Sequence, residues 1–397
     1  MTSLSYLIIP TYFFNRDNLF KLLILLVPFT STSVFNITGG FWIQPSYIIL
    51  LFIFIKYYLF ANELFDKKIL PIFFIVLTTV LLSNILVIFN SSVFIESTVL
   101  NKLNFFVDYS HRHLTFIIYL IVGFLFSIVV SNHYKASPNK LLNVYLISSL
   151  IVSGIIIAQY IMKSLNLPET IIYVLNNNLT FKSHMQILEG TNIYRFSGPG
   201  IEPSVVAKFI APAFFIVLIK LNSIKYVFYL SVLLMAMLLT KSTTFYAGLF
   251  LSIIFIFLRQ LNIRIIVMLA PIALILFVLI LDKFESGSGA ERAMVFLNNI
   301  NYFMARPFLG NGYGILPNND MISFVLASGG LVGAVAFIIL LYHPFINRDK
   351  YFYEINYVFI IGIILQITSG LDYGNMQFYF FLSMILTTYL HKTNYRK

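Results

Sequence analysis

The chain has 397 residues, of which 59% are hydrophobic and only 10% charged, with a mean hydropathy of +0.89; a soluble domain carries about 25% charged residues, so a water-soluble core is excluded and a polytopic membrane protein is expected. A formal net charge of +11 does not require nucleic acid, because lysine and arginine gather in the cytoplasmic loops of membrane proteins. Cysteine is absent, which excludes disulfides, thiolate metal sites and cysteine nucleophiles.

A helical span needs about 20 apolar residues, fewer where protein borders it. The first apolar stretch, 4–14, is broken by Tyr, Phe and Asn and is expected at the membrane interface rather than as a cleavable leader. Spans are then predicted at 18–34, 41–60, 69–90, 114–131, 141–163, 203–219, 226–240, 243–258, 264–282, 320–342, 355–370 and 374–390. Only Lys241-Ser242 separates 226–240 from 243–258, and a tight hairpin around Asp372 joins the last two. The expected fold is all-α: a single transmembrane domain over 1–397, a polytopic integral membrane protein of about twelve helices. No soluble domain is inserted and no repeat recurs at a fixed period. Three connections, 91–113, 164–202 and 283–319, exceed simple connectors, and long ordered loops are commonly functional.

Charge gives the orientation. The N-terminus, 61–68, 132–140, 220–225, 259–264, 343–354 and the C-terminus fall on one side of this arrangement. They carry Arg16, Lys67, Lys68, Lys135, Lys140, Lys220, Lys225, Arg259, Arg264, Arg348, Lys350, Lys392, Arg396 and Lys397. All are short, where the positive-inside rule is reliable, so this side is expected to be cytoplasmic, with both termini inside. The three long loops opposite still hold Lys102, Arg112, Lys182, Arg195, Lys283, Arg292 and Arg306. A cation at a membrane face against the topological bias needs an anion or water to offset its cost. The phosphate groups of a lipid-linked substrate are the expected anion.

The segment RFSGPGIEP (195–203) sets Arg195 ahead of Gly198, Gly200, Glu202 and Pro203, at the start of span 203–219. Glycines let a backbone approach a ligand, and Pro203 suits a first helical turn. The free N–H groups and positive dipole end of that turn favour anions. An arginine fork beside such a start binds phosphate oxygens well, and Lys208, a turn inside the span, can add a second cation. The competing reading is a local salt bridge between Arg195 and Glu202, with Lys208 extending to the surface.

The loop 283–319 opens on SGSGAER (286–292), after which Met294, Phe296, Leu297 and Ile300 suggest an interfacial helix. RPFLGNGYG (306–314) follows, bringing Gly310, Gly312 and Gly314. Gly-x-Gly-x-Gly alone is weak, since a nucleotide-binding fold needs a preceding strand and a βαβ unit. A tight turn before span 320–342 also explains these glycines, Gly314 above all. Arg292 can reach the same pocket as Arg195, whereas Arg306, beside proline at the membrane border, can instead anchor to headgroups. Asp320, after Asn318-Asn319, suits either a helix N-cap or general-base chemistry on a sugar hydroxyl; Glu202 is the competing base.

His111-Arg112-His113 makes an untidy metal site, because adjacent helical positions point apart, and no metal or cofactor is expected. His133, His343 and His391 fall on the cationic side as headgroup or solvent contacts. Polar residues inside the spans are sparse: Asn84, Gln159, Ser242, Thr243, Thr244 and Gln366. They include no run of carboxylates of the kind that carries protons in a pump, which weakens a coupled-transporter reading.

As an ordered set, RFSGPGIEP at 195–203, LLTKSTTFYAGL at 238–249, and Arg292 with RPFLGNGYG, NND (318–320) and LASGGLVG (326–333) resemble the O-antigen polymerase (Wzy) family, within the wider group that includes O-antigen ligases. The resemblance covers topology over nearly the whole chain. It implies a GT-C-like membrane glycosyltransferase in the bacterial inner membrane with its active site facing the periplasm. Such an enzyme moves a growing glycan from undecaprenyl diphosphate to a new lipid-linked repeat unit, with no nucleotide sugar and no metal. Arg195 and Arg292 match the family arginines thought to hold the diphosphate. Ligase-like members tend to carry a histidine just before the re-entering helix, where this chain has Asn318-Asn319-Asp320, so a polymerase is favoured over a ligase acting on lipid A–core. The partners implied are the lipid-linked oligosaccharide, the bilayer and a chain-length regulator, with no nucleic acid. A polysaccharide flippase is the alternative from another class. It should show internal repeats and a wide cationic cavity within the bilayer, whereas the cations here sit in external loops.

Overall fold

The computed structural model describes residues 15–30, 35–37, 41–60, 66–89, 109–167, 185–187, 194–260, 288–314, 316, 320–368 and 376–395. The stretch 4–14, the predicted span 264–282, and Lys102, Lys182, Arg264, Lys283, Asn318, Asn319, Asp372, Arg396 and Lys397 lie outside the described residues. So do the side chains of His111, Arg112, Arg259 and Arg292.

The elements run α1 (Arg16–Leu25), β1 (Phe35–Ile37), β2 (Phe41–Ile43), α2 (Pro45–Ile53) with a π-helical continuation Phe54–Leu59, α3 (Leu70–Phe89), α4 (Tyr109–Tyr134), α5 (Pro138–Ser164), β3 (Met185–Ile187), β4 (Tyr194–Phe196), α6 (Pro203–Ile210), α7 (Ala213–Ile219), α8 (Ile224–Thr240), α9 (Thr243–Gln260), α10 (Ser288–Ala305), α11 (Met321–Ile346), α12 (Tyr353–Thr368) and α13 (Met376–Tyr395). The described residues are thus overwhelmingly helical. Their strands form two antiparallel hairpins, β1–β2 with Asn36 opposite Trp42 and β3–β4 with Gln186 opposite Arg195. Three helical stretches, His113–Tyr134, Pro138–Ser164 and Met321–Ile346, are long and apolar enough to cross a membrane; Pro45–Leu59, Leu70–Leu86, Pro203–Ile219, Ile224–Thr240, Thr243–Phe257 and Tyr353–Thr368 are apolar but shorter. This pattern fits a membrane protein.

Proline accounts for two departures from the expected spans. Span 18–34 is helical only to Leu25, because Pro28 lacks the N–H that would continue the ladder and its ring clashes with the preceding turn. Span 203–219 is two helices, α6 and α7, because Pro212 cannot bond back to the carbonyl of Lys208. The separation of 226–240 from 243–258 has a local cause as well. Lys241 turns left-handed at φ 48°, and its N–H bonds to the Met237 carbonyl, which ends α8.

Close packing relies on small residues. A Cβ at Gly123 of α4 would lie 2.2 Å from the Tyr379 ring of α13, and Ser127 Oγ donates to the Tyr379 carbonyl at 2.9 Å. Small residues of this kind let membrane helices approach. Outward faces are apolar, with Phe74, Leu82, Ile147, Phe228, Val335 and Ile338 all exposed.

Lysine, histidine and carboxylate side chains tie together one end of the bundle. Lys220 pairs with Glu354 at 2.7 Å, His133 Nε2 with Asp17 at 3.3 Å, Lys135 with Asp66 at 4.0 Å and His391 with Asp349 at 4.0 Å. Asn394 donates to Asp66 at 2.8 Å. The starts of α1, α3 and α12 therefore meet the ends of α4, α7 and α13. His133 and His391 are protein contacts rather than the headgroup or solvent contacts expected: His133 also stacks on Phe20, with ring centroids 3.8 Å apart, and His391 Nδ1 lies 2.8 Å from the Lys135 carbonyl.

Candidate functional site

The segment carrying Arg195 is pinned to helix ends away from the ion-paired end. Arg195 sits on β4 and its Nε donates at 3.3 Å to the carbonyl of Thr240, the last residue of α8. Terminal carbonyls lack intrahelical partners and carry partial negative charge, so a guanidinium suits them. The chain then turns at Gly198, φ +57°, whose N–H donates to Gln159 Oε1 near the end of α5 at 2.8 Å. A side chain at Gly198 would meet Ile156 at 2.8 Å, and one at Gly200 would meet Val206 at 2.0 Å. Ile201 N–H donates to Thr30 Oγ1, just beyond α1, at 3.1 Å. The segment is therefore held by α5, α8 and the turn after α1.

Helix α6 follows. Glu202 is extended at its N-cap, Pro203 occupies the first turn, and the Glu202 side chain makes no capping bond. Glu202 is exposed and accepts a hydrogen bond from Ser204 Oγ at 3.1 Å. Lys208 does not extend to the surface; it is buried, only 4% exposed. Arg195, Gly198, Gly200, Glu202 and Lys208 thus share one corner of the fold.

The second predicted segment is built differently. Helix α11 is broken at Gly330, with φ 62° and ψ −160°, and the loop after α10 fills the break. Asn311 N–H donates to Ala327 O and Gly312 N–H to Ser328 O, both at 2.9 Å; in return, Leu331 N–H donates to Pro307 O at 2.8 Å and Val332 N–H to Phe308 O at 3.1 Å. Asn311 Nδ2 adds bonds to Tyr302 O at 2.8 Å and Ala327 O at 3.0 Å. Broken helices at membrane depth survive only where such groups are re-satisfied, and here the loop does it. The N–H of Gly310 goes to Arg306 O at 3.1 Å. The glycines at 310 and 312 therefore spend their donors within the chain, allowing two backbones to touch.

Tyr313 locks this clasp to the bundle. Its N–H donates to Asn84 Oδ1 of α3 at 2.6 Å, its carbonyl meets His113 Nδ1 of α4, and its ring stacks on Phe116 with centroids 5.1 Å apart. Burial pushes its phenol well above the usual range, so it stays protonated. Arg306 is half-buried and makes no ion pair among the described residues. Asp320 caps α11: Oδ1 accepts from Ser323 N–H at 2.7 Å and Oδ2 from Ser323 Oγ. Arg292 lies on the early turns of α10.

The first segment bonds to α5, α8 and the turn after α1, and the second to α3, α4, α10 and α11. Sequence reasoning gave no role to Gln159, Asn84, His113 or Tyr313. For the first two the available signal was a lone amide in an apolar span, which a membrane helix carries only where it finds polar contacts. Among the described residues, no group of three or more His, Cys, Asp or Glu is placed to hold a metal ion. Comparison with known protein families, with curated proteins and with solved structures finds no match for this chain.

Proposed function

We propose that this chain is an integral membrane glycosyltransferase, the polymerase of O-antigen or a similar bacterial surface polysaccharide, with its ion-paired end in the cytoplasm and the Arg195 corner facing the periplasm. The observation that carries this reading is the corner itself. Arg195 and Lys208 flank a glycine-bearing turn, fixed by α5, α8 and the turn after α1, at the start of a membrane helix. Two cations there suit the diphosphate of undecaprenyl diphosphate-linked glycan. An apolar groove between α3 and α11, lined by Ile75, Thr79, Phe308, Leu331, Val332 and Val335, offers a path for a prenyl chain. The broken α11 is a feature of transporters, but the loop takes up the carbonyls of Ala327 and Ser328 and the N–H groups of Leu331 and Val332, so those four are not open to cargo.

In this reading the lipid diphosphate is already a good leaving group. The acceptor sugar hydroxyl attacks the anomeric carbon of the growing chain, the bond from that carbon to the diphosphate oxygen breaks with its electrons going to the diphosphate, and a carboxylate takes the hydroxyl proton. Arginine offsets the charge that develops on the departing diphosphate, and a single displacement inverts the anomeric centre. Glu202 is favoured as the base, because it is exposed on the segment that carries Arg195, whereas both Asp320 oxygens are engaged by Ser323. Glu202→Gln is expected to slow transfer by about 100- to 10,000-fold, while Asp320→Asn, which keeps a capping oxygen, changes turnover little. Polymerisation of a lipid-linked repeat by purified protein measures both, and the reverse order moves the base to Asp320.

Deleting the gene tests the reading as a whole. Surface polysaccharide reduced to a single repeat on the core supports the polymerase. Free lipid-linked polymer would make the chain a ligase, and repeats retained on the cytoplasmic face would make it a flippase.

A further inference from the structure

Two buried polar groups near Arg195 have no hydrogen-bond partner among the described residues: Gln159 Nε2 and Ser242 Oγ, on side chains 2% and 1% exposed. Neither is a matter of amide orientation. Gln159 must turn its oxygen toward the Gly198 N–H, so its NH₂ is the group left over. Ser242 stands at the N-cap of α9, since its carbonyl accepts from Phe245 N–H at 3.0 Å and Tyr246 N–H at 3.4 Å. A serine there ordinarily turns its hydroxyl onto the first-turn N–H groups; this one does not. A buried donor without a partner is costly, and two of them flank one turn of chain. Ser242 follows by two residues the Thr240 carbonyl that Arg195 holds, and Gln159 holds the N–H three residues beyond Arg195.

We propose that the start of α9 receives the phosphate groups at this site, with the Ser242 hydroxyl, the Gln159 amide and the N–H groups of Thr243 and Thr244 donating to phosphoryl oxygens whose charge Arg195 and Lys208 balance. The inference deepens the glycosyltransferase reading and rests on it. All the groups named are donors, and the cations among them are an arginine and a lysine, so the ligand chemistry is an oxyanion with several acceptor oxygens. A helix start contributes N–H groups without intrahelical partners and a positive dipole end. The α6 start lies on the same segment, so the glycine turn leads from one anion-favouring helix end toward another.

The test is binding to full-length protein in nanodiscs, by calorimetry, with undecaprenyl diphosphate, undecaprenyl monophosphate and inorganic pyrophosphate as probes. Ser242→Ala removes only an unpartnered hydroxyl, so the fold is not at risk. Gln159→Glu keeps an oxygen for the Gly198 N–H but replaces the free donor with an acceptor. Each is expected to weaken diphosphate binding about 10-fold or more, Gln159→Glu the further, with thermal unfolding of Ser242→Ala unchanged. If both variants bind undecaprenyl diphosphate like wild type while Arg195→Ala loses it, the inference is overturned and the polymerase reading stands. If Arg195→Ala also binds like wild type, or wild type binds none of the probes, both fall. Pyrophosphate binding that depends on Gln159 and Ser242, without lipid binding, keeps the anion site and assigns it to a soluble ligand, against the polymerase reading.

Discussion

Cells carrying Arg195→Ala are expected to lose long polysaccharide while the protein still inserts. Arg195 donates Nε to the end of α8, which fixes the guanidinium at the corner where the proposed diphosphate is held. Losing a group that stabilises developing charge costs about 100- to 1,000-fold in rate, enough to collapse a polymer ladder to single repeats. Arg195→Lys is the sharper variant. A point charge on a flexible stem replaces a planar fork, so it should fall nearer to alanine than to wild type. Arg292→Ala is expected to give the same phenotype, since the family resemblance pairs the two arginines. Gel analysis of surface polysaccharide, with membrane levels by immunoblot, reads all three. Polymer of normal modal length from Arg195→Ala would remove the cation from the mechanism.

The largest expected stability effect belongs to Gly330→Ala. With φ 62° and ψ −160° this residue occupies backbone space that is essentially glycine-only, and an added Cβ would lie 2.4 Å from the Phe308 carbonyl carbon and oxygen. Gly310→Ala repeats the problem from the other side, at φ +70° and 2.4 Å from the Ser328 carbonyl. Strain of about 1–3 kcal/mol adds to a clash with backbone that no rotamer relieves. The total is expected to reach the exceptional range beyond about 4 kcal/mol. Gly154→Ala is the control, because a Cβ there would meet nothing within 4 Å and alanine favours helix by about 1 kcal/mol. Thermal unfolding in detergent should show a large loss for the first two and none for the third. Equal stability of Gly330→Ala and Gly154→Ala would show that the clasp contributes nothing.

The helical character of the chain was legible because apolar runs near membrane length leave the backbone no alternative but to bond internally. The end of α8 at Lys241 was legible for the same reason, as a polar pair between two apolar runs. Helix interruptions were harder. Pro212 and Pro28 cut runs that hydropathy joins, since proline is apolar enough to pass unnoticed in a window average. The break at Gly330 was hidden in LASGGLVG, where adjacent glycines permit a kink but do not demand one; only the partner loop decides. Among site residues, the cluster of Arg195, Gly198, Gly200 and Glu202 was legible because it is local in sequence. Asp320 was ambiguous, because a capping carboxylate and a basic one look alike until the Ser323 contacts are seen. Gln159 stood out as a lone amide in an apolar run, but its partner Gly198 was out of reach, because only folding brings the two together.

The paired carboxylates at the cation-rich end divide labour with their partners in time. In the proposed orientation, lysine and arginine bias the direction of each helix as it inserts, whereas aspartate and glutamate contribute little. In the folded bundle, Asp17, Asp66, Asp349 and Glu354 each meet a basic or histidine side chain at a neighbouring helix end, so they would act on docking rather than on insertion. Exchanging Lys220 with Glu354 would therefore keep the docking partnership yet subtract from the threading instruction, so that one end of this molecule writes two successive commands in opposite signs of charge.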